Sequence, residues 1–270
     1  MERLIRGVDL SDRRPEEGVS SSTERFGFSI SVRKGHEECG DSAFICAEDQ
    51  VIAGVFDGVS GEAGAAEASS VAAKKILAFL KGKKKIGEKE MKEGILRANS
   101  SITHGMTTAA LLSIDKDGSF ITACVGDSLV YSIDSDGVVS VEIQQGRSVG
   151  DDHSILKYLY FRNLVTSVLG LPEIDMHVRK GRLKKGEILI LASDGLSDNL
   201  FFKVKEGYVS DTAGTSDLKS IIGKMREPGS LVRLLVGEAV KRMDGEKVEL
   251  PDRMLVPKKD DIAIIAVRRL

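Results

Sequence analysis

Short apolar segments punctuate the first fifth of the chain. Phe26–Val32 alternates as FGFSISV, and Ala43–Ala47 and Val51–Phe56 are continuous apolar runs. Period-two alternation and short apolar runs predict strands. The period then changes. Across Gly61–Lys81, the residues Ala65, Ala66, Val71, Ala72, Ile76, Phe79 and Leu80 recur at helical spacing among Glu and Lys. That pattern predicts an amphipathic helix laid on a sheet, and its alanines predict close approach. A second helix is predicted from about Glu88 to Thr103. A strand meander follows over Met106–Ile114, Phe120–Val125, Val130–Ile133 and Val138–Ile143. Asp117-Gly118 and Asp136-Gly137 fall between these strands, where tight turns need residues that accept positive φ. Ile188–Ala192 and Ile262–Val267 predict two more strands, and Leu231–Met243 a helix. Tyr208–Pro228 is polar and glycine-punctuated and reads as a loop or flap over the core, within a larger stretch from Asn199 to Asp260. Strands in meanders, then helices, then strands again make an α+β pattern with antiparallel sheets, unlike a regular βαβ alternation.

Composition narrows the class. The chain has 270 residues, 41% of them hydrophobic and 30% charged, enough to bury a core without disulfides or structural zinc. Nothing in a net charge of -2 argues for a nucleic-acid or anionic-membrane partner, and neither is expected. Cys39, Cys46 and Cys124 are too scattered for a disulfide framework or a zinc quartet, and Cys46 and Cys124 read as small core residues. No apolar run approaches the ~20 residues of a membrane span. A reducing cytoplasm is the expected home. Residues 1–25 read as an irregular lead-in, with the polar stretch Asp12–Thr23 at its centre, and 26–270 as a single catalytic domain. The sequence leaves the oligomeric state open.

The acids are placed unusually. Asp57 directly follows the strand VIAGVF, Asp194 follows ILILAS, and Asp127 follows ITACVG. Asp41 precedes one strand, and Asp260 and Asp261 precede the last. Carboxylates fixed at strand ends can converge on one rim, and hard divalent cations need several oxygen ligands on a stiff frame. Asp-Gly is also ordinary turn chemistry, which accounts for Asp117-Gly118 and Asp136-Gly137. It accounts less well for an acid at the end of every central strand.

Here the residues resemble a known family, the metal-dependent protein serine/threonine phosphatases of type 2C. Phe56-Asp57-Gly58-Val59-Ser60-Gly61 is similar to its Asp-Gly-x-x-Gly signature. Gly105–Ala109, Gly126-Asp127-Ser128, Thr166–Gly170, Ala192–Asp198 and Asp260-Asp261-Ile262 match further motifs in family order. The resemblance implies a four-layer αββα sandwich of two antiparallel sheets flanked by helices. It implies two Mn²⁺ or Mg²⁺ ions and a weaker third. Asp57 would bridge the first two. Asp194 and Asp260 would complete the first site, the Gly58 carbonyl and Asp41 the second, and Asp127 and Asp198 the third. A water or hydroxide between the metals would attack the phosphorus of a phosphorylated protein.

Three departures stand out. Val59 replaces a histidine that many relatives carry. In the Arg33–Asp41 segment a single acid, Asp41, directly precedes the strand where relatives have a Glu-Asp pair, and Glu37 and Glu38 lie displaced upstream, which leaves Arg33, Lys34 and His36 as alternative phosphate contacts. Leu129 replaces an arginine. The leading expectation is therefore a phosphoserine/phosphothreonine phosphatase with Asp57 and Arg33 at the reaction centre. The alternatives are a regulatory or binding protein with a decayed site, and a hydrolase of small phosphate esters. Ser31–Lys34 with Ser197-Asp198-Asn199 imitates penicillin-recognising serine enzymes, but Ser31 lies in a strand run and no Lys-Thr-Gly follows. Asp115–Gly118 and Asp134–Gly137 lack the closing Glu of a calcium loop. Lys83-Lys84-Lys85 reads as a solvated loop, and His104, His153 and His177 lie in no ligand-like spacing.

Overall fold

The computed structural model describes residues 1–11, 14, 16–61, 63–143, 154–162 and 164–270. The chain opens with β1 (Glu2–Arg6), β2 (Glu16–Ser22), β3 (Phe26–Arg33), β4 (Ser42–Ala47) and β5 (Val51–Phe56). Helices α1 (Ala65–Lys81) and α2 (Glu88–Asn99) follow. The meander is β6 (Ala109–Ile114), β7 (Ser119–Val125), β8 (Leu129–Ile133) and β9 (Val139–Ile143). Next come α3 (Ile155–Phe161), β10 (His177–Arg182), β11 (Ile188–Ala192) and the single turn α4 (Asp194–Ser197). The last part holds β12 (Phe202–Lys205), β13 (Tyr208–Asp211), α5 (Thr215–Ile222), α6 (Pro228–Met243), β14 (Val248–Leu250), β15 (Arg253–Leu255) and β16 (Ile262–Arg269).

Two six-stranded antiparallel sheets form, ordered β1-β4-β5-β6-β7-β10 and β2-β3-β16-β11-β8-β9. Their facing sides share one core: Ile45, Val55 and Leu112 from the first sheet meet Phe28, Ile30, Leu191 and Ile265 from the second. The outer side of the first sheet packs Phe44, Ile52 and Phe56 under Ala72, Ala73 and Ile76 of α1 and Met91 and Ile95 of α2. The outer side of the second packs Tyr131, Ile190 and Ile264 under Leu218 of α5 and Leu231 and Leu235 of α6. The expected four layers are therefore present. Central strands are buried on both faces, which is why ILILA and IAIIAV read as unbroken apolar runs rather than alternating ones. The alanines of α1 allow the expected close approach.

Register brings strand ends together. Ser42 pairs with Phe56, so Asp41 and Asp57 leave the first sheet side by side. Ala192 pairs with Ile264, and Ser193 N–H donates to the Ala263 carbonyl at 3.0 Å. Asp194 and Asp260 thus leave the second sheet together.

Two expectations need correction. Residues 1–25 are not an irregular lead-in, since β1 pairs along β4 and β2 along β3. Tyr208–Pro228 is not all loop. It contains β13 and α5, and β13 belongs to a separate four-stranded sheet ordered β13-β12-β15-β14. Strands β1, β2 and β10 escaped the sequence pattern, and all three are sheet edges. Edge strands carry polar and charged residues that discourage further pairing, and EEGVSSS and HVRKGR have too few apolar positions to show a period. The two Asp-Gly pairs are turns, with φ of 87° at Gly118 and 80° at Gly137. Cys46 and Cys124 are buried core thiols.

Candidate functional site

Asp41, Asp57, Asp127, Asp194 and Asp260 come to one rim, where the ends of the two sheets meet. Asp41, Asp127, Asp194 and Asp260 are buried, and Asp57 is partly exposed. Desolvation, then the charge of Asp41, then those of Asp194, Asp260 and Asp127, push the Asp57 carboxyl well above its ordinary value. Burial and the charge of Asp261 do the same to Asp41, against a hydrogen bond from Ser193. One oxygen of Asp41, Oδ2, is buried without a hydrogen-bond partner. Crowded carboxylates of this kind repel one another unless a cation shares the site. The donors are all oxygens on rigid strand ends, which suits Mg²⁺ or Mn²⁺. The residues thus fit the metal ions that the resemblance implies.

A cation is already among them. Lys258 Nζ lies 2.7 Å from Asp260 Oδ2, 2.8 Å from Asp194 Oδ2 and 3.5 Å from Asp198 Oδ2. Burial alone lowers its pKa, but Asp194, Asp198 and Asp260 more than offset that and hold it above the usual lysine value. Among the described residues, no three acidic, imidazole or thiol groups are spaced to hold a metal ion. Asp194, Asp198 and Asp260 close on Lys258 instead.

The sequence motifs interlock behind the acids. Thr108 N–H and Thr107 Oγ1 both donate to the Asp57 carbonyl, at 2.8 and 2.9 Å. Thr108 Oγ1 in turn accepts from Asp57 N–H at 3.1 Å and lies 2.7 Å from Ser128 Oγ. Thr107 and Leu169 exchange backbone hydrogen bonds at 3.1 and 2.8 Å. Segments 105–109, 126–128 and 166–170 therefore serve to hold Asp57. Gly58 must be glycine on packing grounds, because a Cβ there would lie 2.6 Å from the Ala65 carbonyl and 2.7 Å from that of Gly40.

Sequence reasoning missed Asn199, Ser193 and Lys258, and gave Asp261 no role. Asp261 accepts N–H bonds from Gly35 at 2.6 Å, His36 at 3.1 Å and Gly40 at 2.6 Å. It ties the whole 35–40 loop to the start of β16. Asn199, fully buried, clamps Lys258 across the chain, accepting its N–H at 3.2 Å and donating to its carbonyl at 2.9 Å. These partners lie far apart in sequence, so no local pattern reveals them.

Arg33 is not drawn to the acids. Its guanidinium pairs with Glu16 of β2 at 3.1 Å, on the sheet face where Ser31 also donates to Glu16. With Lys34, His36, Lys259 and Asp260 it lines a cleft of about 590 Å³. His36 Nε2 lies 3.3 Å from Asp260 Oδ1, and that hydrogen bond raises its pKa against partial burial. A second cleft of about 550 Å³ runs past His36, Gly40, Gly58 and Asp261 to the start of α1. The three other histidines stay apart from the acids where they are described. His104 and His177 are exposed, and His153 lies outside the described residues. Lys84 and Lys85 are exposed, as expected of a solvated loop, while Lys83 Nζ lies 4.3 Å from the centre of the Phe79 ring. Among the described residues, no helix is long and apolar enough to cross a membrane.

No protein-family model matches the chain, and no curated protein does. Solved structures do. The serine/threonine phosphatase PstP/Ppp of Mycobacterium tuberculosis is similar with a TM-score of 0.64 at 15% identity, covering 90% of this chain and 98% of its own. The S. agalactiae serine/threonine phosphatase is similar at 0.64 and 16%, covering 94% and 99%. RsbX, solved in complex with magnesium, is similar at 0.62 and 17%, covering 94% and 100%. At such identities the likeness speaks to architecture. The chain has the fold of the type 2C serine/threonine phosphatases.

Proposed function

We propose that this chain is a metal-dependent phosphoprotein phosphatase acting on phosphoserine and phosphothreonine. The observation that carries the reading is the convergence of Asp41, Asp57, Asp194 and Asp260 from two sheets onto one buried rim. The charges of Asp41, Asp194 and Asp260 all bear on the Asp57 carboxyl. In this reading it serves both metal sites. Asp194 and Asp260 serve the first, Asp41 and the Gly58 carbonyl the second, and Asp127 and Asp198 a weaker third. Two Mn²⁺ or Mg²⁺ ions bound there supply an activated water and neutralise charge on the phosphoryl group. The protein's own part is positional. The interlocked threonines fix Asp57, Asp261 fixes the 35–40 loop, and Arg33, Lys34 and His36 offer positive charge beside the acids. For Arg33 to meet a phosphate it has to exchange Glu16 for it. No protein nucleophile is needed.

The test is hydrolysis of p-nitrophenyl phosphate with Mn²⁺, Mg²⁺ or EDTA, followed by phosphopeptides and small phosphorylated metabolites. Activity should require metal and fall at least about a hundredfold in Asp57→Asn and Asp194→Asn. Faster turnover of metabolites than of phosphopeptides would move the substrate class to small esters. A second reading is a regulatory or binding protein, favoured by Lys258 among the acids and by Val59 in place of histidine. The absence of activity with any metal would select it.

A further inference from the structure

Lys258 is placed with more care than a surface ion pair needs. Its ammonium meets three carboxylates, and two of the oxygens it contacts, Asp194 Oδ2 and Asp260 Oδ2, belong to the side chains assigned above to the first metal site. The other oxygen of Asp260 is also engaged, by the Asp261 N–H at 2.9 Å and His36 at 3.3 Å. The lysine backbone cannot drift, because Asn199 grips both its N–H and its carbonyl. Asn199 is fixed in turn. Its side chain also donates to the Gly195 carbonyl at 2.9 Å, and its own carbonyl accepts from Arg242 at 3.0 Å. Only the side chain of Lys258 is left to move, and it remains 22% exposed, so it has a path to solvent. By contrast, the ion-paired side chains of Lys81, Lys92, Lys180, Lys184 and Lys247 are 45% to 81% exposed.

We propose that Lys258 is a tethered cation seated in the first metal subsite, which a divalent ion has to displace. Resting on the reading of the rim as a metal centre, this makes Lys258 a positioning residue with two effects. Without metal, its charge keeps Asp194, Asp198 and Asp260 together against their mutual repulsion. When metal arrives, a fixed positive charge a few ångströms away opposes it and raises the concentration at which the site fills.

The experiment is calorimetric titration of Mn²⁺ and Mg²⁺ into the metal-stripped wild-type chain, Lys258→Met and Lys258→Gln, with thermal melts of each in EDTA. Both neutral variants should bind Mn²⁺ at least about tenfold more tightly than wild type, since a like charge is removed. Both should also melt at a lower temperature in EDTA, because buried carboxylates lose their partner. Equal or weaker binding in the variants, with wild type still binding, overturns the role of Lys258 and leaves the metal centre standing. No binding by any of the three chains overturns both. Should the variants fail to fold, ¹⁵N-lysine NMR of the wild type decides. A slowly exchanging ammonium resonance in EDTA that vanishes at saturating Mg²⁺ supports displacement, and one that persists unchanged overturns it.

Discussion

At the scale of single residues, Asp261 shows how one carboxylate can shape a site without joining the chemistry. Its oxygens accept three backbone N–H groups, from Gly35, His36 and Gly40, and hydrogen bonds to a charged acceptor are worth about 1.5–3 kcal/mol each. Asp261→Asn keeps the shape but leaves at least one N–H facing an amide NH₂. We expect a loss of about 2–3 kcal/mol in urea unfolding, with weaker metal binding because the 35–40 loop leads directly into Asp41. A loss below about 0.5 kcal/mol would mean that the loop does not depend on this tie. At this scale the sequence disclosed the acids but not their supports. Asp57 and Asp194 are visible because each ends an apolar run. Lys258 and Asn199 are not, because their meaning arises only when residues 59 positions apart are folded together.

At the scale of elements, central strands and the larger helices were legible and, of the edges of the two large sheets, only β9 was. ILILA announces β11 because both of its faces are covered, whereas β2 exposes most of its polar residues and shows no period. Helix α6 was visible from Leu231 onward through its apolar stripe. Its true start lies earlier, where Glu227 accepts N–H bonds from Gly229 at 2.8 Å and Ser230 at 2.5 Å, with Pro228 in the first turn. Pairing with Ser230 and these backbone groups holds the Glu227 carboxyl below its ordinary value. A carboxylate depressed in the fold contributes stability that is present above its unfolded pKa and is lost as pH falls through its folded one. Glu227→Ala should therefore cost about 1 kcal/mol near neutral pH. The gap to wild type should narrow as pH drops below the usual glutamate value of about 4.3. Denaturant titrations at both pH values check this, and a gap independent of pH would show that the cap's charge contributes nothing.

At the scale of the whole molecule, the site lies at one end of the apolar core shared by the two sheets. Asp41 and Asp57 leave β4 and β5 of one sheet, while Asp194 and Asp260 flank β11 and β16 of the other. A divalent ion held by acids from both sheets, as proposed, would therefore link them. In the unfolded chain these residues, spread from position 41 to position 260, offer no assembled ligand set, so metal at the proposed centre would bind almost exclusively to the folded state. Linkage then fixes the consequence: with free metal at a hundred times its dissociation constant, folding gains about 2.7 kcal/mol for each site filled. For a chain of this size that raises the melting temperature by roughly 5–10 °C per site. The rise should saturate with Mn²⁺ concentration and reverse with EDTA. Asp57→Asn should abolish most of it, because the proposed reading has Asp57 serve both sites, whereas Asp198→Asn should leave most of it in place. Differential scanning calorimetry of the three chains across a metal series makes the comparison. A melting temperature indifferent to metal in the wild type would mean that the rim acids are not a metal centre, and an equal shift in Asp57→Asn would remove that residue from its middle.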